Sequence, residues 1–172
     1  DDAGAVALWK DKSGHGLDAR QSEAPHRPQY RSEGLNGRPS LHFDEARRTR
    51  LELPDLSQEK LSGTVFAVIS NPKPASEVNH DARIFTASDG TEYDYLVGIA
   101  ATVPGMETGG PRQTTHAFDK RWGRAVRVGC FSPNLQTFFT GEIAEILVYT
   151  GALTPQQQDH IRAYLVLKWG LE

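Results

Sequence analysis

The chain has one cysteine and one methionine among 172 residues. A lone Cys130 excludes an intrachain disulfide framework and any multi-thiolate metal site. Its surroundings, Arg127-Val128-Gly129-Cys130-Phe131, are apolar and strand-like with no histidine nearby, so we read it as a buried structural thiol rather than a reactive one. No apolar run approaches the roughly 20 residues that cross a bilayer, and no secretory leader is recognisable. An excess of one charge is missing too. Nineteen Lys and Arg face 22 Asp and Glu, a net charge of −3, and the signs are interleaved. That removes the basic field nucleic-acid binding calls for. The six histidines, at 15, 26, 42, 80, 116 and 160, form no H-x-H or H-x-x-x-H pair, so local spacing offers no zinc site. No nucleophile-elbow motif provides a start for serine–histidine catalysis. There is no internal repeat and no low-complexity tract.

What remains suits one domain spanning residues 1–172, and because residue 1 is Asp rather than Met we expect it to belong to a larger protein. A chain of this length buries roughly 70% of its extended surface and needs no staples. Helical signal is concentrated at the C-terminus. Thr154-Pro155-Gln156-Gln157 offers an N-cap, a first-turn proline and a capping-box glutamine. Ile161, Tyr164, Leu165, Lys168 and Trp169 then recur on one stripe, and Gly170 is placed to end it. Elsewhere short strands alternate with turns. Leu41-His42-Phe43 and Leu51-Glu52-Leu53 read as half-buried, and residues 64–69 as a central strand covered on both faces. Tyr93, Tyr95, Val97 and Ile99 share one side of another strand. On simple alternation, Ile143, Leu147 and Tyr149 take one face of the last strand and Ala144, Ile146 and Val148 the other. The fold class expected is all-β, a two-sheet antiparallel sandwich with one C-terminal α-helix.

Three segments carry a resemblance. Trp9-Lys10-Asp11-Lys12-Ser13-Gly14-His15-Gly16-Leu17-Asp18-Ala19 is similar to the W-x-D-x-S-G-x-G-x-x-A opening of bacterial laminin-G-like, concanavalin A-like lectin-glucanase domains. Residues 35–44, LNGRPSLHFD, resemble that family's NG-x-P-x-L-x-F-D strand. Residues 139–149, FTGEIAEILVY, followed by Ala152-Leu153-Thr154 and by Tyr164-Leu165 and Lys168-Trp169-Gly170, resemble its closing pattern. The match covers both ends of the chain and little of the middle. It implies a jelly-roll sandwich and an extracellular or cell-surface setting. Relatives lay down an L-x-L-W-L-D-A strand before the first motif. We therefore expect an empty strand slot beside Gly141–Tyr149 or Leu41–Phe43. A neighbouring chain, upstream residues, or the segment Ala3–Leu8 bent back would fill it.

The resemblance also brings in glycan-cleaving enzymes. Glu142 and Glu145 look like such a carboxylate pair, but at i, i+3 on a regular strand they point to opposite faces, so we expect no catalytic residue and no enzyme. Trp122, set among charges in Asp119-Lys120-Arg121-Trp122-Gly123-Arg124, is the candidate for stacking on a sugar, or else folds back over the sandwich edge. Arg121, Arg124, His116, Tyr93 and Tyr95 complete the candidate ligand set. The basic cluster Arg47-Arg48-Thr49-Arg50, with Arg27 and Arg31, is a solvated turn or a grip for sulfated or uronic polysaccharide. Relatives of this fold hold structural Ca2+, for which Asn79, Asp81 and Asp89 are the candidate oxygen ligands, with Asp11, Asp18 and Asp94 behind them. Turn formation is the commoner role for such residues. The expected function is a non-catalytic recognition or adhesion module whose partner is a glycan or a protein, with no nucleic acid and no membrane insertion. The alternative is a structural subunit completed by strand pairing with a neighbour.

Overall fold

The computed structural model describes residues 4–59, 62–71, 82–88, 95–100 (backbone only), 110–118, 122–131 and 137–171. Eleven strands are found there: β1 (Leu8–Trp9), β2 (Ala19–Arg20), β3 (Gln29–Leu35), β4 (Arg38–Phe43), β5 (Leu51–Leu53), β6 (Gly63–Ser70), β7 (Arg83–Ser88), β8 (Tyr95–Ala100), β9 (Arg112–Phe118), β10 (Ala125–Val128) and β11 (Gly141–Thr150). One helix, α1 (Pro155–Trp169), follows. A five-stranded sheet runs β3-β4-β11-β6-β9 and a six-stranded one β1-β2-β5-β10-β7-β8. Every pairing between strands is antiparallel. The molecule is thus the expected two-sheet sandwich with a C-terminal helix.

Its apolar residues fall into two layers. Phe43, Leu51, Phe85, Val126, Trp122 and Ile143 are among those filling the space between the sheets. Leu35, Phe66, Val68, Leu165 and Trp169 form a second layer, under the helix. Strand β6 serves both: Val65, Ala67 and Ile69 enter the first, Phe66 and Val68 the second. This is why residues 64–69 read as a continuous apolar run.

The helix begins as its sequence directs, with a reciprocal capping box between Thr154 and Gln157, and ends at Gly170 in the left-handed conformation (φ 60°). Two polar anchors hold its C-terminus to the five-stranded sheet. Glu145 on β11 accepts from Lys168 Nζ (2.7 Å) and Trp169 Nε1 (2.6 Å). Asn36 Nδ2 donates to the carbonyl oxygens of Trp169 and Gly170, both at 2.9 Å. Asn36 can do so because Asn36-Gly37 forms the β3–β4 turn with both φ positive (50° and 68°), the geometry a two-residue hairpin favours. At the other end of the chain the Asp11 carboxylate gathers the backbone N–H groups of Ser13 and Leu17 and the Ser13 hydroxyl. The Ser13 N–H is foremost in lowering the Asp11 pKa to about 2.

Two expectations are corrected. Strand β11 carries a β-bulge between Ile143 and Glu145. Ile143, Ile146 and Val148 therefore face the inter-sheet core, while Ala144, Leu147 and Tyr149 face the helix. Simple alternation misassigned the strand because a bulge adds one residue and reverses parity beyond it. Glu142 and Glu145 consequently share the outer face, and the opposite-face argument against their pairing does not hold. Similarly, the register of β8 against β7 slips between Val97, opposite Ala87, and Tyr95, opposite Ser88.

No strand is missing beside Leu41–Phe43 or the first residues of β11, and from Glu145 to Thr150 β11 pairs with β6. Strand β11 is paired on both sides at Glu142 and Ile143, by β4 and β6. Residues 4–9 bend back along the sandwich edge: Tyr30 N donates to Gly4 O and Val6 N to Pro28 O (both 2.8 Å), and Ala5 bridges Gln29. The same segment then crosses to the other sheet, where Gln21 N donates to Ala7 O (2.9 Å) and β1 pairs with β2. The N-terminal segment thus bends back, but along Gln29–Tyr30 of β3 and not beside Leu41–Phe43, which is paired with β3 and β11. Trp9 packs against the inter-sheet core there.

Candidate functional site

The outer face of the five-stranded sheet is divided. The helix and its apolar layer cover one part, and a polar row crosses the rest. Cross-strand register places Gln29 opposite His42, His42 opposite Glu142, and Glu142 opposite Ser70, one residue from each of β3, β4, β11 and β6. Neighbouring strands lie about 4.8 Å apart, so the row is about 15 Å long. Arg31 and Ser40, also register partners, flank it.

Glu142 organises this surface. One carboxylate oxygen accepts from Ser40 Oγ (2.6 Å); the other meets His42 Nδ1 and Arg31 Nη1, both at 2.9 Å. Burial alone would raise its pKa, but the hydrogen bonds from His42 and Ser40 and the Arg31 charge outweigh burial and hold it below the ordinary 4.5. The carboxylate is buried, whereas the Arg31 side chain is 51% exposed and that of His42 22%. With Nδ1 on the carboxylate, His42 Nε2 has no partner among the described residues. Gly34 makes the packing feasible, since a Cβ there would collide with Ser40 Oγ and crowd Glu142. The arrangement is a set of oriented hydrogen-bonding groups resting on an ionised, already satisfied carboxylate.

The candidates read from sequence fare differently. Trp122 is fully buried, edge-on to Phe85 at 6.3 Å between centroids, and presents no ring face to a ligand. Its apolar area is worth more in the inter-sheet core than in water, which decides between the two roles considered for it. Arg124 is exposed, close to Asp55, whose carboxyl is held low by Ser57 first and by Arg124 as well. His116 lies half-buried on β9, its pKa lowered by burial; it is paired with Val65 and so is turned toward the inter-sheet side. Tyr95 opens β8, which runs close to β9 where the two sheet edges meet. Arg121, Tyr93, Asn79, Asp81, Asp89 and Asp94 lie outside the described residues. Among the described residues no three His, Cys, Asp or Glu side chains converge on a metal position.

The basic cluster is dispersed. Arg27 donates to the backbone oxygens of Gln21 and Ser22, and Arg50 is buried beside Glu23 and Glu52. Only Arg31 of that group joins the polar row. The outer face of the six-stranded sheet has its own line, Arg20, Glu52, Arg127 and Thr86, in successive register. There Glu52 lies 3.5 Å from Arg127 and 3.7 Å from Arg50, Arg20 pairs with Asp18, and Thr86 is buried, so the charges are spent on one another. Glu145 is likewise engaged by Lys168 and Trp169.

Sequence reading missed the row because its members come from positions 29, 42, 70 and 142. The only local trace is the alternation of Ser40 and His42 with Leu41 and Phe43, which marks a polar outer face without saying what lies beside it.

No family model matches the chain, and no curated protein does. Among solved structures it is similar to domain 4 of AbnA, a GH43 extracellular arabinanase from Geobacillus stearothermophilus, in complex with arabinotriose. The likeness has a TM-score of 0.54 at 15% identity and covers 78% of this chain and 81% of that one. At that identity it speaks for the fold. No helix among the described residues is long and apolar enough to cross a membrane.

Proposed function

We propose that this chain is a non-catalytic glycan-recognition module of the laminin-G-like, concanavalin A-like kind, working outside the cell or at its surface. The observation that carries the reading is the polar row Gln29–His42–Glu142–Ser70 on the sheet face beside the helix. Oriented polar side chains on a rigid scaffold suit the hydroxyl-rich edge of a sugar chain, and a row of about 15 Å accommodates a short oligosaccharide. The likeness to an arabinanase domain in complex with arabinotriose supports the same reading. The absence of an enzymatic role now rests on the partners of the two glutamates rather than on parity: each has both oxygens engaged by its own chain. The structural-subunit alternative has less to support it, because Leu41–Phe43 and the start of β11 are paired on both sides within the chain and residues 4–9 bend back along β3.

A glycan array followed by calorimetry on the hits tests the proposal. The expected result is binding of an oligosaccharide that His42→Ala and Gln29→Ala each weaken while the fold melts cooperatively. Silence across the array, or binding indifferent to both substitutions, would overturn it.

A further inference from the structure

We infer that the ligand taken by the polar row is a carboxylate-bearing sugar chain, a uronate oligosaccharide, with Arg31 as the residue that reads its charge. The inference rests on the glycan-binding reading and narrows it.

The argument is one of charge and donor inventory. A neutral glycan is commonly held by side chains that both accept and donate, an accessible carboxylate or amide meeting the sugar hydroxyls. Here the only anion in the row is turned into the sheet. Glu142 receives Ser40, His42 and Arg31, and its side chain is 11% exposed. What reaches solvent above it is the Arg31 guanidinium, the cationic side of the same network. Arg31 bonds Glu142 through Nη1 and leaves half of its surface open, in a planar group carrying five N–H donors. Glu142 also fixes the guanidinium, so little side-chain freedom remains to be lost when a second carboxylate binds the open edge. His42, its Nδ1–H given to Glu142, presents Nε2 on the adjacent strand as an acceptor for a sugar hydroxyl beside the carboxylate that Arg31 reads. Among the described residues the six-stranded sheet offers no rival, because Glu52 stands exposed among its arginines and would repel the same ligand.

The test uses trisaccharides of galacturonate, mannuronate and glucuronate, each beside its carboxyl-reduced neutral counterpart, titrated calorimetrically into the intact chain. At least one uronate should bind at least tenfold more tightly than its reduced partner and weaken as salt rises. Arg31→Gln should lose at least tenfold for that uronate and little for the neutral sugar. Arg31→Lys, which keeps the charge on Glu142 but not the planar fork, should fall between, and it serves if Arg31→Gln does not fold. A reduced sugar that binds as well as its uronate, or uronate binding unchanged in a folded Arg31 variant, overturns the inference and leaves glycan recognition standing. If neither set binds and the array is also silent, both fall together.

Discussion

Trp169 donates its indole N–H to Glu145 at 2.6 Å, joining the last turn of the helix to the strand that ends just before it begins. Lys168 occupies the other oxygen of the same carboxylate. Trp169→Phe keeps most of the buried ring and deletes only the donor. We expect it to destabilise the chain by about 1–3 kcal/mol in urea unfolding, the cost of leaving a partly buried charged acceptor short of one bond. A change indistinguishable from zero would mean Lys168 satisfies Glu145 alone.

Leu165 lies fully buried in the layer between helix and sheet. Leu165→Ala should cost about 2–5 kcal/mol by the same measurement, as truncations in filled cores do. An unchanged unfolding midpoint would show that the helix packs loosely.

The polar row makes stability depend on acid. The Glu142 carboxyl sits below its ordinary value of 4.5 in the folded chain. Its contribution is therefore complete above pH 4.5 and is lost as the pH falls through the depressed folded value. Glu142→Gln should lower stability at pH 7 and flatten the decline below pH 4.5. Urea midpoints across pH 3–7 would check this, and parallel curves for the two proteins would refute it.

Cys130 is buried and its thiol is pushed up to about 12 by that burial. Thiolate is the reactive form, so at pH 8 a disulfide reagent should modify the native chain only at the rate of unfolding, and at once in denaturant. Rapid modification of the native protein would place the sulfur at the surface.

The elements that local chemistry specifies were legible in the sequence. The capping box at Thr154, the helix stop at Gly170 and the doubly covered strand at 64–69 each depend on residues a few positions apart. The bulge in β11 left no such mark. With Ala144, Ile146 and Leu147 all apolar, either parity satisfies the pattern, and only the pairing with β6 decides it. Trp122 misled for a related reason, since charged neighbours in sequence say nothing of the core on which its ring comes to lie. The polar row was the least legible, because it exists only once four strands stand side by side.

The order of the five-stranded sheet sets the order of events during synthesis. Strand β11 lies between β4 and β6, yet of the described strands it is the last to leave the ribosome. Until it emerges, β4 and β6 each expose an open, largely apolar edge, and the binding face lacks the glutamate around which it is organised. The nascent chain thus carries two unpaired edges from the completion of β6 until β11 emerges, a form in which neighbouring copies could pair with each other instead. Premature termination between Ser70 and Gly141 would fix the chain in that state. Such fragments should be insoluble products rather than smaller working modules.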